Sequence, residues 1–285
     1  MTSPHVAAAI AVALGTIAFG AAHAQCRPPA DSHEARLLAF YEAPVLFAMA
    51  AAPERLAPGS LSIGGEAIPV PSPDPLLTHP SFCYQYTTNN TKLAPLFGRP
   101  RIVLGLPSGF ALEGSYVPPV SVSSARVTLG SLAVSRTQSV SLGRGSVLLQ
   151  LRAHGTLGRI QGPITCPRAS LQLRDEAAPC YGTVPSRDSY DPRSLGIEAA
   201  ASTHLGRLDV FAGGGANRLD PRFRAGFTDG LGNVDHTTVD VALVRGVGYG
   251  GATLHLRHDL AISGQLYVVP ADVSTVRLGV AYRVR

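Results

Sequence analysis

The feature that most constrains this chain is a period of two that runs from about Gly59 to its last residue. In each of a series of segments, apolar residues alternate with polar or small ones, and the closing stretch VRLGVAYRVR over 276–285 is a clear example. Successive residues of a strand point to opposite faces, so Val276 and Leu278 share one face while Arg277 lies on the other. The sequence therefore predicts strands that are apolar on one face and polar or small on the other.

The spacing of these segments predicts their arrangement. We predict ten strands, near residues 59–69, 101–107, 109–118, 126–136, 146–160, 194–204, 207–216, 236–257, 260–269 and 273–284. Long connections over 70–100, 161–193 and 217–235 alternate with tight turns. This asymmetry, with strands of about ten residues, is typical of an antiparallel up-and-down transmembrane β-barrel. Eight or twelve strands are the alternatives, and the glycine-rich centre of 236–257 could be a bend, a bulge or a second turn.

Composition excludes several other classes of protein. Charged residues make up only 15% of the 285-residue chain, which argues against disorder, and 30 glycines and 23 prolines argue against a helical bundle. The net charge of +5 comes from scattered arginines without a basic run, so we predict no nucleic-acid partner. Beyond Gly20 no stretch approaches the roughly 18 apolar residues of a transmembrane helix.

The first 58 residues precede the alternating pattern. An uncharged apolar run over 6–20, followed by Ala22-His23-Ala24, predicts a signal peptide over 1–24 that exports the chain. Residues 25–58 are predicted to form a periplasmic segment with a short helix that ends near residue 42, with Pro44 as its stop. The barrel domain then covers 59–285.

The four cysteines fit an oxidising compartment. The most local pairing joins Cys166 to Cys180 and leaves Cys26 for Cys83, although four cysteines allow three connectivities. None lies at metal-ligand spacing with a histidine, so we predict no metal site.

Polar residues recur on the minority face of the predicted strands. In lipid, an arginine would cost about 2 to 4 kcal/mol at the bilayer midplane, so these residues are expected to face the lumen. The predicted lumen cluster comprises Glu66, Glu113, Gln150, Arg152, His154, Glu198, Asp240, Arg277 and Arg283. The simpler interpretation is that they fill a narrow lumen with salt bridges, and a selective pathway is the alternative.

Motifs for catalysis or cofactors are weak. Gly246-Val247-Gly248-Tyr249-Gly250-Gly251 matches a dinucleotide fingerprint formally, but strand-like sequence follows it where a helix is required. Ser202, His204 and Asp209 are close in sequence, yet nothing like a nucleophile elbow surrounds Ser202. We predict neither catalytic residues nor a cofactor, and we do not expect an enzyme.

Taken together, the export signal, the alternating strands, the loop asymmetry and the closing strand make the chain resemble a bacterial outer-membrane β-barrel protein. The resemblance implies a location in the outer membrane, with its lipid as partner, and recognition of the final strand by the barrel-insertion machinery. It assigns no binding or catalytic residue. The chain departs from the usual pattern in ending with Val284-Arg285 in place of Phe or Trp, and in having no Trp at all.

Three functions fit these observations. We expect a porin-like narrow pore or a passive conduit for a small solute or hydrophobic compound. The first alternative is a structural or surface-interaction barrel that acts through its external loops, and the second is a soluble exported β-sandwich that binds a ligand. The sequence indicates neither the solute nor the oligomeric state.

Overall fold

Ten antiparallel strands form a closed barrel in the computed structural model, which describes residues 25–79, 81–83, 95–122, 124–143, 145–270 and 272–284. The barrel strands are β1 (Leu61–Pro69), β2 (Leu96–Gly105), β3 (Phe110–Val122), β4 (Ala125–Leu142), β5 (Gly145–Gly162), β6 (Arg193–Leu205), β7 (Leu208–Leu219), β8 (Leu243–His255), β9 (Leu260–Val269) and β10 (Val273–Val284). Each strand pairs with the next, and β10 closes on β1, with Val284 opposite Leu61. The predicted fold class and strand number are confirmed. The predicted signal peptide over 1–24 lies outside the described residues.

The predicted strand 236–257 needs correction. It consists of a short strand, Thr238–Asp240, and the separate barrel strand β8. The glycine-rich centre lies inside β8 and pairs without interruption with β7 and, from Gly248 onward, with β9, so it is not a turn. Asp240 is held outside the barrel wall because its carboxylate accepts hydrogen bonds from Gln25 and Arg222.

The two faces of the wall differ as the alternation predicts. On β10, Val276, Leu278, Val280 and Tyr282 point outward and remain 44–53% exposed, whereas Arg277 points inward and is 1% exposed. Other strands repeat this pattern with outward leucine, isoleucine and valine, for example Leu151 on β5 and Ile197 on β6. A closed wall with an apolar outer face satisfies its backbone internally and suits contact with lipid hydrocarbon.

The two ends of the barrel are also different. Tight connections join the strands at the end where β1 begins and β10 finishes, which we call the turn end. The opposite, loop end carries the long connections 163–192 and 220–242 and a short sheet in which Asp188–Asp191, Arg222–Arg224 and Thr238–Asp240 extend from β5. Two disulfides brace this end, Cys26–Cys83 and Cys166–Cys180, which confirms the predicted pairing.

A single α-helix, α1 (His33–Val45), is found among the described residues. Ser32 caps it by accepting a hydrogen bond from the Ala35 amide at 3.1 Å. The helix continues through Pro44 rather than ending near residue 42, because a proline in the last turn removes one backbone donor without blocking the turns before it. No helix in the described part of the chain is long and apolar enough to cross a membrane.

The segment after α1 lies inside the barrel rather than ahead of it. Gln25–Cys26 pairs with Thr238–Val239 at the loop end, and β1 starts at the turn end, so the chain between them passes through the lumen. Leu46, Phe47 and Ala48 are at most 1% exposed. We call residues 43–54 the plug, because inward side chains from six strands bond to them.

Candidate functional site: a plugged lumen and the pocket above it

Four arginines and three glutamates form a buried charged layer inside the barrel. Arg99, Arg101, Arg152 and Arg277 are at most 5% exposed. Glu66 pairs with Arg99 and, at 2.7 Å, with Arg101, while Glu113 pairs with Arg101 and, at 2.8 Å, with Arg152. Glu198 completes the layer at 3.5 Å from Arg152. Buried charges persist only when they are paired and hydrogen-bonded, and here every guanidinium has a carboxylate within 4.0 Å.

The same arginines hold the plug through its backbone. Arg99 donates to the Val45 carbonyl at 2.9 Å, Arg277 to those of Ala43 and Leu46 at 2.7 and 3.0 Å, and Arg101 to that of Ala48 at 2.6 Å. The last carbonyls of a helix have no partner within it, so α1 ends where the arginines supply donors.

An aromatic side chain occupies the centre of this layer. The guanidinium carbons of Arg99, Arg101 and Arg152 lie 4.8, 4.4 and 5.0 Å from the centre of the Phe47 ring. Cations over a desolvated ring are attracted by its quadrupole. Phe47 therefore fixes the plug to the charged layer by its side chain as well as by its carbonyl, which accepts from Arg152.

Below the layer, hydroxyl groups bind the rest of the plug. Ser263 donates to the Ala50 carbonyl at 2.6 Å, and the Ala52 amide donates to Thr253 at 2.9 Å. Ser202 donates to the Pro53 carbonyl at 3.2 Å. Glu54 meets Arg283 at the turn end.

The structure brings together most of the predicted lumen residues. Glu66, Glu113, Arg152, Glu198 and Arg277 belong to the charged layer, and His154 Nε2 lies 3.3 Å from Glu198. The remaining members lie elsewhere: Gln150 donates to Thr137 at 3.0 Å, Arg283 pairs with Glu54 at the turn end, and Asp240 lies in the loop-end sheet.

Sequence reasoning missed Arg99 and Arg101, which bind the plug backbone as the predicted Arg152 and Arg277 do. The predicted second strand began at 101, because Pro100 interrupts the strand-like sequence. The sequence did contain a signal for this pair. Arg99 and Arg101 are two residues apart, so on an extended strand they lie on the same face, and Pro100 between them does not change this.

An apolar cavity of about 190 Å³ lies at the loop end between α1 and the wall. Leu37, Tyr41 and Val45 of the helix line one side, and inward residues of β2 to β5 line the other, among them Phe97, Val117 and Ile160. The carboxylate of Glu34, the charged group in the lining, is occupied by hydrogen bonds from Ser81, Phe82 and Cys83. We call this cavity the mouth pocket.

A second cavity of about 150 Å³ opens beside the plug near the turn end. Its lining includes Met49, Ala52, Val103 and Ser263. The two cavities have no lining residue in common, and the fully buried residues 46–48 separate them along the plug. The described residues thus leave two vestibules divided by the charged layer.

One buried acid on α1 has an altered ionisation. Burial raises the pKa of Glu42 to about 7, and the hydroxyl of Tyr190, which donates to it, lowers it only in part. Glu42 therefore titrates close to neutral pH, where most carboxylates are fully ionised.

The residues of the rejected catalytic trio are separated into two sets of contacts. His204 Nδ1 and His255 Nε2 lie 2.6 and 2.8 Å from the two carboxylate oxygens of Asp209 at the turn end. Ser202 bonds to the plug instead. Within the described residues, no three acidic, histidine or cysteine side chains are placed to hold a metal ion. The expectation that the chain is not an enzyme stays a prediction.

A closed ten-stranded wall, an apolar outer face and a charged, filled interior are together the architecture of bacterial outer-membrane barrels. The chain is an outer-membrane-type β-barrel. The alternative of a soluble sandwich is wrong, because the sheet closes on itself and turns its apolar face outward.

Solved structures of similar fold include bacterial outer-membrane barrels. The attachment invasion locus protein Ail of Yersinia pestis is 11% identical, with 80% of this chain and 100% of that chain covered at a TM-score of 0.29. The outer membrane protease OmpT of Escherichia coli is 7% identical, with 79% and 94% covered at a TM-score of 0.40. No model of a known protein family matches the chain, and no curated protein sequence matches it. Neither likeness assigns it a function.

Proposed function

We propose that this barrel binds a small apolar compound in the mouth pocket and acts as a gated conduit whose gate is the plug. The observation that carries the proposal is the mouth pocket itself, about 190 Å³ of apolar space at the loop end. An apolar cavity of about 150 Å³ stays dry and binds benzene, so this volume suits a ligand of at least that size. The proposal includes export to the bacterial outer membrane, contact with its lipid, and recognition of the closing strand by the insertion machinery.

The charged layer favours a gate over a permanently open pore. Residues 46–48 are buried on all sides, and their carbonyls are taken by arginines. A solute that leaves the mouth pocket towards the turn end must displace them. Passage therefore requires the plug to move, and we expect purified protein in a planar bilayer to show no steady conductance.

Toluene is a suitable probe for the mouth pocket. We expect toluene to raise the thermal unfolding midpoint of the barrel in nanodiscs, because a ligand that binds only the folded state stabilises it. Val117→Phe extends a buried lining side chain into the pocket and should abolish the shift. Val103→Phe, the matched control in the second cavity, should retain it.

Equal shifts in the two variants would contradict the proposal, since toluene would then bind elsewhere. An absent shift in the unmodified protein would do the same. Heat-modifiability on gels verifies that both variants are folded before the shifts are compared.

A surface-interaction role is the second candidate, favoured by apolar side chains on the braced loops. Leu173, Val184 and Leu231 are 58–59% exposed at the loop end, beyond the barrel wall. Exposed apolar residues on rigid loops are typical of contact sites for other proteins. If this role holds, Leu173→Asp with Leu231→Asp should reduce the adhesion of cells that display the barrel, while the toluene shift stays unchanged.

A further inference from the structure

The barrel wall has a seam between β2 and β3 that is hydrogen-bonded only near the turn end. The two strands pair over four positions, from Gly105 opposite Ala111 to Ile102 opposite Gly114. On its other edge β2 pairs with β1 as far as Leu96, and β3 pairs with β4 as far as Val122. Towards the loop end, residues 96–101 and 115–122 thus border each other without a ladder.

The sequence encodes this gap with prolines. The Leu106 amide donates to the Phe110 carbonyl at 2.8 Å, so even-numbered residues of β2 and β3 turn their backbone groups towards each other. Continued register would place Pro100 opposite Tyr116 and Gly98 opposite Pro118. Each of these pairs would normally form two hydrogen bonds, and its proline removes one of them.

On β3, a β-bulge adds to the loss of pairing that the prolines cause. The pairing of β3 with β4 shifts by one residue between Val117 and Val120, where Pro118 and Pro119 lie opposite Thr128 alone. Lipid offers no hydrogen bonds to an unpaired backbone group, so an unpaired seam is the weakest part of the wall.

The mouth pocket lies directly behind the seam. Phe97 and Gly98 from one edge and Val117 and Val120 from the other line the pocket, with α1 at its back. At the edges themselves, Leu96 and Val120 remain 53% and 42% exposed. The entrance thus has apolar borders and leads from the lipid-facing surface into apolar space.

We propose that the seam is a lateral entrance through which the end of an acyl chain passes from the membrane into the mouth pocket. The proposal rests on the proposed function and specifies its ligand: a hydrocarbon tail already dissolved in the bilayer. Such a chain reaches the pocket without crossing water or the loop-end sheet. Burial of methylene groups there is favourable relative to water but nearly neutral relative to lipid, so the pocket exchanges chains readily with the bilayer.

The absence of tryptophan makes the test direct. Phe97→Trp places a single fluorophore in the mouth pocket. On the same strand, Ile102→Trp places it on the lipid face and Val103→Trp places it in the second cavity. In vesicles of phospholipid brominated along the acyl chain, bromine quenches tryptophan on contact. We expect strong quenching at positions 97 and 102 and little at 103.

Sealing the seam supplies the matched comparison. Pro100→Thr with Pro118→Thr restores both missing donors, and quenching at position 97 should fall towards the level of position 103 while position 102 stays quenched. Undiminished quenching at 97 in the sealed barrel, verified as folded by heat-modifiability, would overturn the lateral route. If the sealed barrel fails to fold, the single variant Pro118→Thr is used with the same criterion.

The source of the chain is resolved by a second arm. Brominated free fatty acid added to vesicles of ordinary phospholipid should quench position 97 if free acids enter, whereas brominated phospholipid should do so if membrane lipids enter. Quenching by neither would refute the entrance. A toluene shift that persists in that case would leave the proposed function standing and remove only the lateral route, so the two failures are distinguishable.

Discussion

Glu42 gives a prediction at the scale of a single residue. In the folded barrel the pKa of Glu42 is raised from 4.5 to about 7, so folding favours its neutral form. The contribution of Glu42 to the free energy of unfolding is fully present below pH 4.5 and is lost as the pH rises to 7. Glu42→Gln keeps a neutral group at every pH. We expect it to raise the free energy of unfolding in urea at pH 8 by roughly 3 kcal/mol relative to the unmodified chain, with no difference at pH 4.

Glu34 on the same helix is the control with the opposite sign. Its partial burial raises the pKa, but hydrogen bonds from Cys83, Phe82 and Ser81 outweigh this and lower the pKa below its usual value. Its contribution is therefore present above pH 4.5 and lost as pH falls through the lowered pKa. Glu34→Gln should destabilise the barrel at pH 8, and a gain at pH 8 would contradict the assignment.

Single residues also show what the sequence could predict of the site. Five charged residues were predictable as inward, because a charge on the polar face of a lipid-facing strand avoids lipid only inside the lumen. They are Glu66, Glu113, Arg152, Glu198 and Arg277. The plug segment to which the arginines bind was not predictable. Arg277 donates to carbonyls 231 and 234 positions away in the chain, and no local pattern in residues 43–46 indicates that they accept hydrogen bonds from the wall.

At the scale of one element, β10 tests which face meets lipid. Val280 and Val284 lie on the same outward face, and Val280 is four residues, or roughly 13 Å along the strand, from the turn end. We expect Val280→Arg to lower the free energy of unfolding by about 2 to 4 kcal/mol and Val284→Arg by about 1 kcal/mol or less, because the cost of an arginine depends on its depth in lipid. Urea unfolding from vesicles measures both.

Equal costs at the two positions would mean that Val280 is not at the depth of the hydrocarbon. Arg277, on the inward face of the same strand, shows why the test is specific, because an arginine is already buried there beside Glu66. An arginine is tolerated on β10 only where carboxylates and carbonyls surround it.

Among elements, strands were predictable and the route of the N-terminal segment was not. Each of the ten strands overlaps a predicted one, and β9 and β10 agree to the residue. Residues 31–49 predict a helix with apolar side chains, but the spacing of apolar residues indicates only that one face is buried, not which part of the protein covers it. Likewise Thr238–Asp240 was merged with β8, because two short alternating runs separated by two residues look like one.

On the scale of the whole molecule, the plug gives the chain an unusual order of passage. The polypeptide runs from the loop end through the lumen, emerges at the turn end, and only then builds the wall that encloses it. Since β10 pairs with β1, the barrel closes around residues 43–54. The disulfide Cys26–Cys83 then ties the beginning of the described chain to the first long loop.

This order predicts where the N-terminal part of the described chain is found. Outer-membrane barrels keep short turns in the periplasm and long loops outside, so Gln25 at the loop end should lie at the cell surface. An epitope inserted directly before Gln25 should bind antibody on intact cells. The same epitope in the turn at Gly206, at the opposite end, should bind only after the outer membrane is permeabilised. Surface binding at Gly206 with none at Gln25 would reverse the orientation, and protection of both sites would mean that the segment does not thread the lumen in the cell.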